Sequence, residues 1–145
     1  MGDEYLTILI RLSAALGAGA LIGLERTYYG RPAGFRTHIL VSTASSLLMM
    51  LTVFHEQLIP GTASGAVRID PTRMAQGIMT GIGFLGAGAI LKESAAIRGL
   101  TTAGSIWMTA AIGLMIGSGL YFAAAVALVI ALIALSLFRW FEAKV

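Results

Sequence analysis

The chain of 145 residues is 57% hydrophobic and only 12% charged, with a mean hydropathy of +0.86, far short of the charge a water-exposed domain carries. It has no cysteine, which excludes a disulfide frame, a thiolate nucleophile, a Cys-type zinc site and an iron–sulfur site. The net charge of +3 invites a nucleic-acid reading, but the basic residues cluster at the ends of apolar stretches, where they face lipid headgroups, so no nucleic-acid partner is expected. The sequence predicts an all-α integral membrane protein: one transmembrane domain over 1–145, a bundle of about five helices with glycine-rich packing faces and the bilayer as its medium.

The predicted spans cover about 6–24, 37–54, 74–91, 101–117 and 120–138. Before the first, Met1-Gly2-Asp3-Glu4 is acidic where a secretory signal needs a basic segment, and no small-residue cleavage pattern follows, so this run is expected to be retained. Arg11, one turn inside it, is expected to snorkel outward. Glu25 lies fourteen residues further on, about 21 Å along a helix, too far to pair with Arg11 in the same span. The loop over 55–72 carries the turn pairs Pro60-Gly61 and Ser64-Gly65 and ends on Asp70-Pro71, an N-cap followed by proline at the first helical position. Thr101 is read as a comparable cap for the fourth span. The stretch 101–138 has no charge and as one helix would be roughly 57 Å long, so it must fold back, and Gly117-Ser118-Gly119 is the expected turn. Tyr5, Tyr28, Tyr29, Tyr121 and Trp140 mark the interfaces.

Arg26, Arg31, Arg36, Lys92, Arg98, Arg139 and Lys144 fall on one side of such a bundle, against Arg68, Arg73 and the more deeply placed Arg11 on the other. The positive-inside rule then places the amino terminus outside and the carboxyl terminus in the cytoplasm.

Eighteen glycines need a physical reason, since glycine in a helix interior costs about 0.5–1 kcal/mol relative to alanine in water. In lipid, helices associate by close backbone approach, which small residues at four-residue spacing permit. Gly19 with Gly23, Gly77 with Gly81, and Gly113 with Gly117 have that spacing and are read as packing faces. Gly81 to Gly88 is glycine-rich enough to bend, and a break near the midplane is the functional alternative to a plain packing helix. It is no phosphate loop, because no strand precedes it and no Lys-Ser/Thr follows.

The polar residues offer little chemistry. Glu25 and Arg26 close the first span while Arg36, Thr37 and His38 open the second, forming either an interfacial anchor or a surface for a partner or lipid headgroup. His38 and His55 stand at opposite ends of one span and cannot share a metal, and the seven carboxylates form no evident magnesium cage, so no metal or cofactor is expected. Thr101, Thr102, Ser105 and Thr109 are explained by interhelical hydrogen bonding, and the seven methionines by flexible packing. No nucleophile and base stand out, and no enzyme is expected.

The blocks Ile22-Gly23-Leu24-Glu25-Arg26, Ala33-Gly34-Phe35-Arg36-Thr37-His38, Gly81-Ile82-Gly83-Phe84-Leu85-Gly86-Ala87-Gly88-Ala89-Ile90, Gly99-Leu100-Thr101-Thr102-Ala103 and Ala111-Ile112-Gly113 resemble, in order and spacing, the transmembrane domain of the MgtC/SapB family from about Arg11 to Tyr121. The resemblance implies a bacterial inner-membrane protein tied to adaptation to low magnesium, acid or phagosomal stress. It also implies a non-catalytic regulator of other membrane machines, the F-type ATP synthase among them, rather than a magnesium transporter. Many members carry a soluble domain after the fifth span, which is not expected from these residues, and Gly104 stands where alanine is expected. The residues expected to meet a partner or ligand are Glu25, Arg26, Arg36, Thr37, Gly83, Phe84, Gly86, Thr101 and Thr102. The chain is expected to form a homo-oligomer, with a dimer favoured. The alternative is a small oligomeric channel or transporter for cations or another small solute, lined by Gly81 to Gly88 and Thr102.

Overall fold

A computed structural model describes residues 2–55, 70–93 and 96–142. Five helices account for most of them: α1 (Gly2–Tyr28), α2 (Phe35–Val53), α3 (Pro71–Gly88), α4 (Leu100–Gly117) and α5 (Tyr121–Glu142). Pro60-Gly61, Ser64-Gly65, Arg68 and Lys144 lie outside the described residues, as do the side chains of Arg139 and Trp140. Between α3 and α4 runs a feature that hydropathy did not announce, an antiparallel hairpin of β1 (Leu91–Glu93) and β2 (Ala96–Arg98) with Leu91 opposite Arg98.

The helix ends follow from local chemistry. Asp70 sits in extended backbone and accepts from the Thr72 amide at 2.9 Å, with proline opening α3 as expected. Four exposed oxygen and nitrogen partners in this cap, foremost the Thr72 hydroxyl, hold the Asp70 carboxyl below its usual value. Thr101 does not cap α4. Gly99 occupies the cap position at φ +89 with no side-chain cap, because a Cβ there would run into the Ala89 carbonyl oxygen, so Thr101 falls inside the first turn. Gly119 at φ +84 closes the turn between α4 and α5, where the chain was expected to fold back. α3 is one unbroken helix, and the midplane break offered as the alternative does not occur in it.

α4 touches all four other helices and carries the core. Ile112 and Ile116 pack with Ala15, Ala18 and Ile22 of α1 and Ala124 and Ala131 of α5, while Ile106 and Ala110 meet Val41 of α2. Glycine sets the spacing. A Cβ at Gly19 would lie 2.9 Å from Ile39 Cα and one at Gly23 would lie 2.7 Å from Phe35 Cα. On α4, a Cβ at Gly113 would lie 2.9 Å from Ser42 Cα and one at Gly117 would lie 2.9 Å from Ser46 Cα. Phe35, His38, Ile39, Ser42 and Ser46 fall on one stripe of α2, so backbone meets backbone along that stripe from both neighbours. At Gly77 and Gly81, by contrast, an added Cβ meets nothing within 4 Å.

The exterior is apolar, with Leu9, Leu40, Phe84 and Phe122 more than half exposed. Asp3–Tyr28 and Leu100–Gly117 are long and apolar enough to cross a membrane, and Tyr121–Ser136 is a shorter apolar helix. α2 and α3 fall below that mark chiefly because Arg36 and His38 in the one, and Arg73 and Gln76 in the other, pull the average down.

Arg11 reaches the end of the bundle where α2 and α4 finish: Nη1 donates to the Gly117 carbonyl at 2.6 Å and the guanidinium lies 5.4 Å from the centre of the Phe54 ring. A cation at the carboxyl end of α4 meets the negative end of its dipole and one of its orphan carbonyls.

Candidate functional site

The polar residues converge where α1 ends, α2 begins and α4 begins. The turn between α1 and α2 is closed locally: the Phe35 amide donates to Thr27 Oγ1 at 2.9 Å, and Gly30 and Ala33 take left-handed backbone. This brings Arg26, only 4% exposed, under the first turn of α4, where Nη2 donates to Thr102 Oγ1 at 2.9 Å. Next to it His38, fully buried, places Nδ1 3.0 Å from the Gly34 carbonyl and Nε2 3.2 Å from Ser105 Oγ. A carbonyl can only accept, so Nδ1 carries the proton. The Ser105 hydroxyl also lies 2.8 Å from the Thr102 carbonyl, so its single proton has two acceptors within reach. Thr109 continues the ladder by donating to the Ser105 carbonyl, and Ser42 and Ser46 present hydroxyls that find no partner in the seam.

Beside this seam opens a cleft of about 630 Å³, lined by Arg26, Arg31, Arg98, Thr101, Thr102 and, from α5, Leu135. That volume lies in the range of small-ligand pockets, about 300–1,000 Å³. Three arginines line it from three places: the end of α1, the first loop and the end of β2.

The structure therefore brings Arg26, Thr101 and Thr102 together. It leaves the others apart from that cleft. Glu25 is half-buried, with Oε2 making no hydrogen bond. Arg36 is exposed and Thr37 half-buried in the first turn of α2. On α3, Phe84 is 82% exposed, Gly83 has nothing near it, and Gly86 packs on Ala103, to which an added Cβ would come within 3.7 Å. Sequence reasoning weighed Arg31 and Arg98 only as topological charges and passed over the His38–Ser105 contact. Arg98 directly precedes the Gly99-Leu100-Thr101-Thr102 block, and that adjacency was the available signal.

Among the described residues no group of three or more His, Asp or Glu could hold a metal ion. His38 and Ser105 are the partner types of a base and a nucleophile, but both are sealed from any substrate, at 0% and 4% exposure.

The family model described as the MgtC family matches residues 12–144. The "Putative magnesium transporter YhiD" of Escherichia coli (strain K12) is 44% identical over 121 residues, covering 83% of this chain and 54% of that protein. "Protein SrpB" of Synechococcus elongatus is 42% identical over 126 residues, covering 81% and 67%, and "Protein MgtC" of Brucella abortus is 43% identical over 118 residues, covering 81% and 45%. The chain spans about half the length of the first of these relatives. No solved structure matches it. A family match that runs from Leu12 almost to the end of the sequence, with relatives above 40% identity over four-fifths of it, places this chain in the MgtC family.

Proposed function

We infer that this chain is a multi-pass protein of the bacterial inner membrane, with about five spans, its amino terminus outside and its carboxyl terminus in the cytoplasm. In this reading it is a non-catalytic regulator that binds other membrane proteins during adaptation to low magnesium or to host and acid stress. The observation that carries the reading is the contrast between glycine faces. Gly19, Gly23, Gly113 and Gly117 are pressed against α2, whereas Gly77 and Gly81 of α3 face open space beside the exposed Phe84. In lipid a bare glycine edge on an apolar helix is a seat for another transmembrane helix. The first occupant is a second copy of the chain, as a dimer, and the second is a helix of a partner such as the F-type ATP synthase. Arg36 orients that partner in this reading, which its exposure in the first turn of α2, where the helix dipole disfavours a cation, supports.

The test is a Gly81→Leu chain, whose added Cβ has nothing within 4 Å, together with Gly81→Cys crosslinked in native membranes. Leucine is expected to abolish growth support under magnesium limitation while insertion persists, and the cysteine to trap a dimer or a second membrane protein. Undiminished growth with no trapped species refutes the reading. An Arg36→Gln chain is expected to lose the same growth support.

A second reading, a small channel or transporter for cations, is favoured by the name of the Escherichia coli relative and by the polar ladder from Thr102 to Thr109. Against it, Gly113 and Gly117 close that seam backbone to backbone. Ion flux into liposomes holding only the purified chain would establish it.

A further inference from the structure

A serine or threonine inside a helix can return its proton to its own backbone, and Thr7, Thr43, Thr80, Thr109 and Ser118 each donate to the carbonyl four residues back. Ser42 and Ser46 do not. Both are fully buried in α2, and neither hydroxyl has a hydrogen-bond partner. The carbonyls four residues before them are those of His38 and Ser42, the same oxygens against which neighbouring helices press: a Cβ at Gly19 would run into the first, and one at Gly113 into the second. Glycine contact from α1 and α4 therefore covers the acceptors this pair would use. Ser42 stands seven residues from the start of α2 and Ser46 seven from its end, so bulk water at either end is out of reach. An unbonded hydroxyl at such depth in an apolar bundle is costly.

We propose that one enclosed water molecule is bound between Ser42 and Ser46 in the seam of α2 with α4. Side chains four residues apart on a helix stand about 5–6 Å apart, and a water with a hydrogen bond of about 2.8 Å to each hydroxyl spans that distance. The chemistry of the pair selects water: each hydroxyl both donates and accepts, and two neutral groups give a metal ion or an anion no counter-charge. Two partners are enough, since a buried water takes two to four. Backbone contact of Ser42 with Gly113 and of Ser46 with Gly117 encloses the molecule, which makes it a fixed part of the seam and not a stretch of an open path. It continues the polar line that begins one turn earlier with His38 and Ser105. The site stands apart from the α3 face and survives the failure of that reading.

The experiment uses the full chain in liposomes, labelled at serine and isoleucine, and follows magnetisation transferred from water by solid-state NMR. Transfer is expected to reach the Ser42 and Ser46 side chains while Ile106 and Ile112, buried on α4, receive none. In Ser42→Ala the transfer to Ser46 is expected to be lost, and in Ser46→Ala the transfer to Ser42. Thermal melts give a second readout. Each single alanine leaves the other hydroxyl alone and is expected to lower the midpoint, while the double replacement, which removes both hydroxyls, recovers at least part of that loss. A dry pair behaves in the opposite way, because each alanine then deletes an unsatisfied hydroxyl and raises the midpoint. Absence of transfer to Ser42 and Ser46 in the parent chain overturns the proposal whether or not the variants fold. Transfer to one serine that persists when the other is alanine overturns it as well, and so do midpoints that rise in both single variants.

Discussion

A methyl group added at Gly113 probes the spacing of the bundle directly. Its carbon would lie 2.9 Å from Ser42 Cα and 2.9 Å from Ser42 C, with the Ser42 carbonyl oxygen nearer still. Carbon atoms rest comfortably at about 3.5 Å or more, so α2 and α4 must part by at least roughly 0.6 Å at that point, and further to clear the oxygen. The obstacle is backbone, which cannot swing aside as a flexible side chain can, and overpacking of this kind costs about 1–3 kcal/mol. Gly104, on the same helix with nothing within 4 Å of an added Cβ, is the control. Alanine there relieves the helix cost of glycine and is expected to be neutral or to stabilise by up to about 1 kcal/mol. Reversible unfolding in mixed micelles titrated with sodium dodecyl sulfate, followed by circular dichroism, should therefore separate Gly113→Ala from Gly104→Ala by about 1–4 kcal/mol. If the two variants unfold at the same midpoint, close backbone approach does not set the stability of this bundle.

Arg11→Met removes the charged donor to the Gly117 carbonyl and is expected to cost about 1.5–3 kcal/mol in the same assay, with Arg11→Lys intermediate. His38→Ala empties a fully buried site and removes the side-chain donor from the Gly34 carbonyl, which keeps only the residue-38 amide, and should cost roughly 2–4 kcal/mol by thermal melting. The Asp70 carboxyl, held below its usual value of 3.8 by the Thr72 hydroxyl and amide, supports the start of α3 above that value and loses this support as pH falls through the lower folded value. The Thr72 amide resonance should accordingly move in acid below about pH 4 in the parent chain and stay still in Asp70→Asn.

Much of the helical layout was legible because hydropathy, caps and turn residues are local signals. Asp70-Pro71 and Gly117-Ser118-Gly119 act where they were read to act. What escaped depended on distant neighbours. Thr101 has the chemistry of a cap, but Gly99 takes that place because the Ala89 carbonyl leaves no room for a Cβ, a fact of tertiary contact. Arg11 was read only as a cation near the end of its helix, and its partner, the Gly117 carbonyl 106 residues away, is a fact of the fold. The hairpin over 91–98 is too short and too mixed to register as alternation. In the cleft, Thr101 and Thr102 were singled out by their block, whereas Arg31 and Arg98 join them only through the fold.

The shared stripe on α2 also fixes a sequence of events during synthesis. Gly19 and Gly23 meet Phe35, His38 and Ile39, so that contact is complete within the first 39 residues and can close as soon as both helices leave the ribosome. The Ser42 and Ser46 backbone must then wait through α3 and the hairpin until Gly113 and Gly117 are made. A chain stalled in that interval displays a bare, hydroxyl-bearing ridge to the lipid, a surface on which a membrane-embedded protease or chaperone could tell unfinished molecules from finished ones.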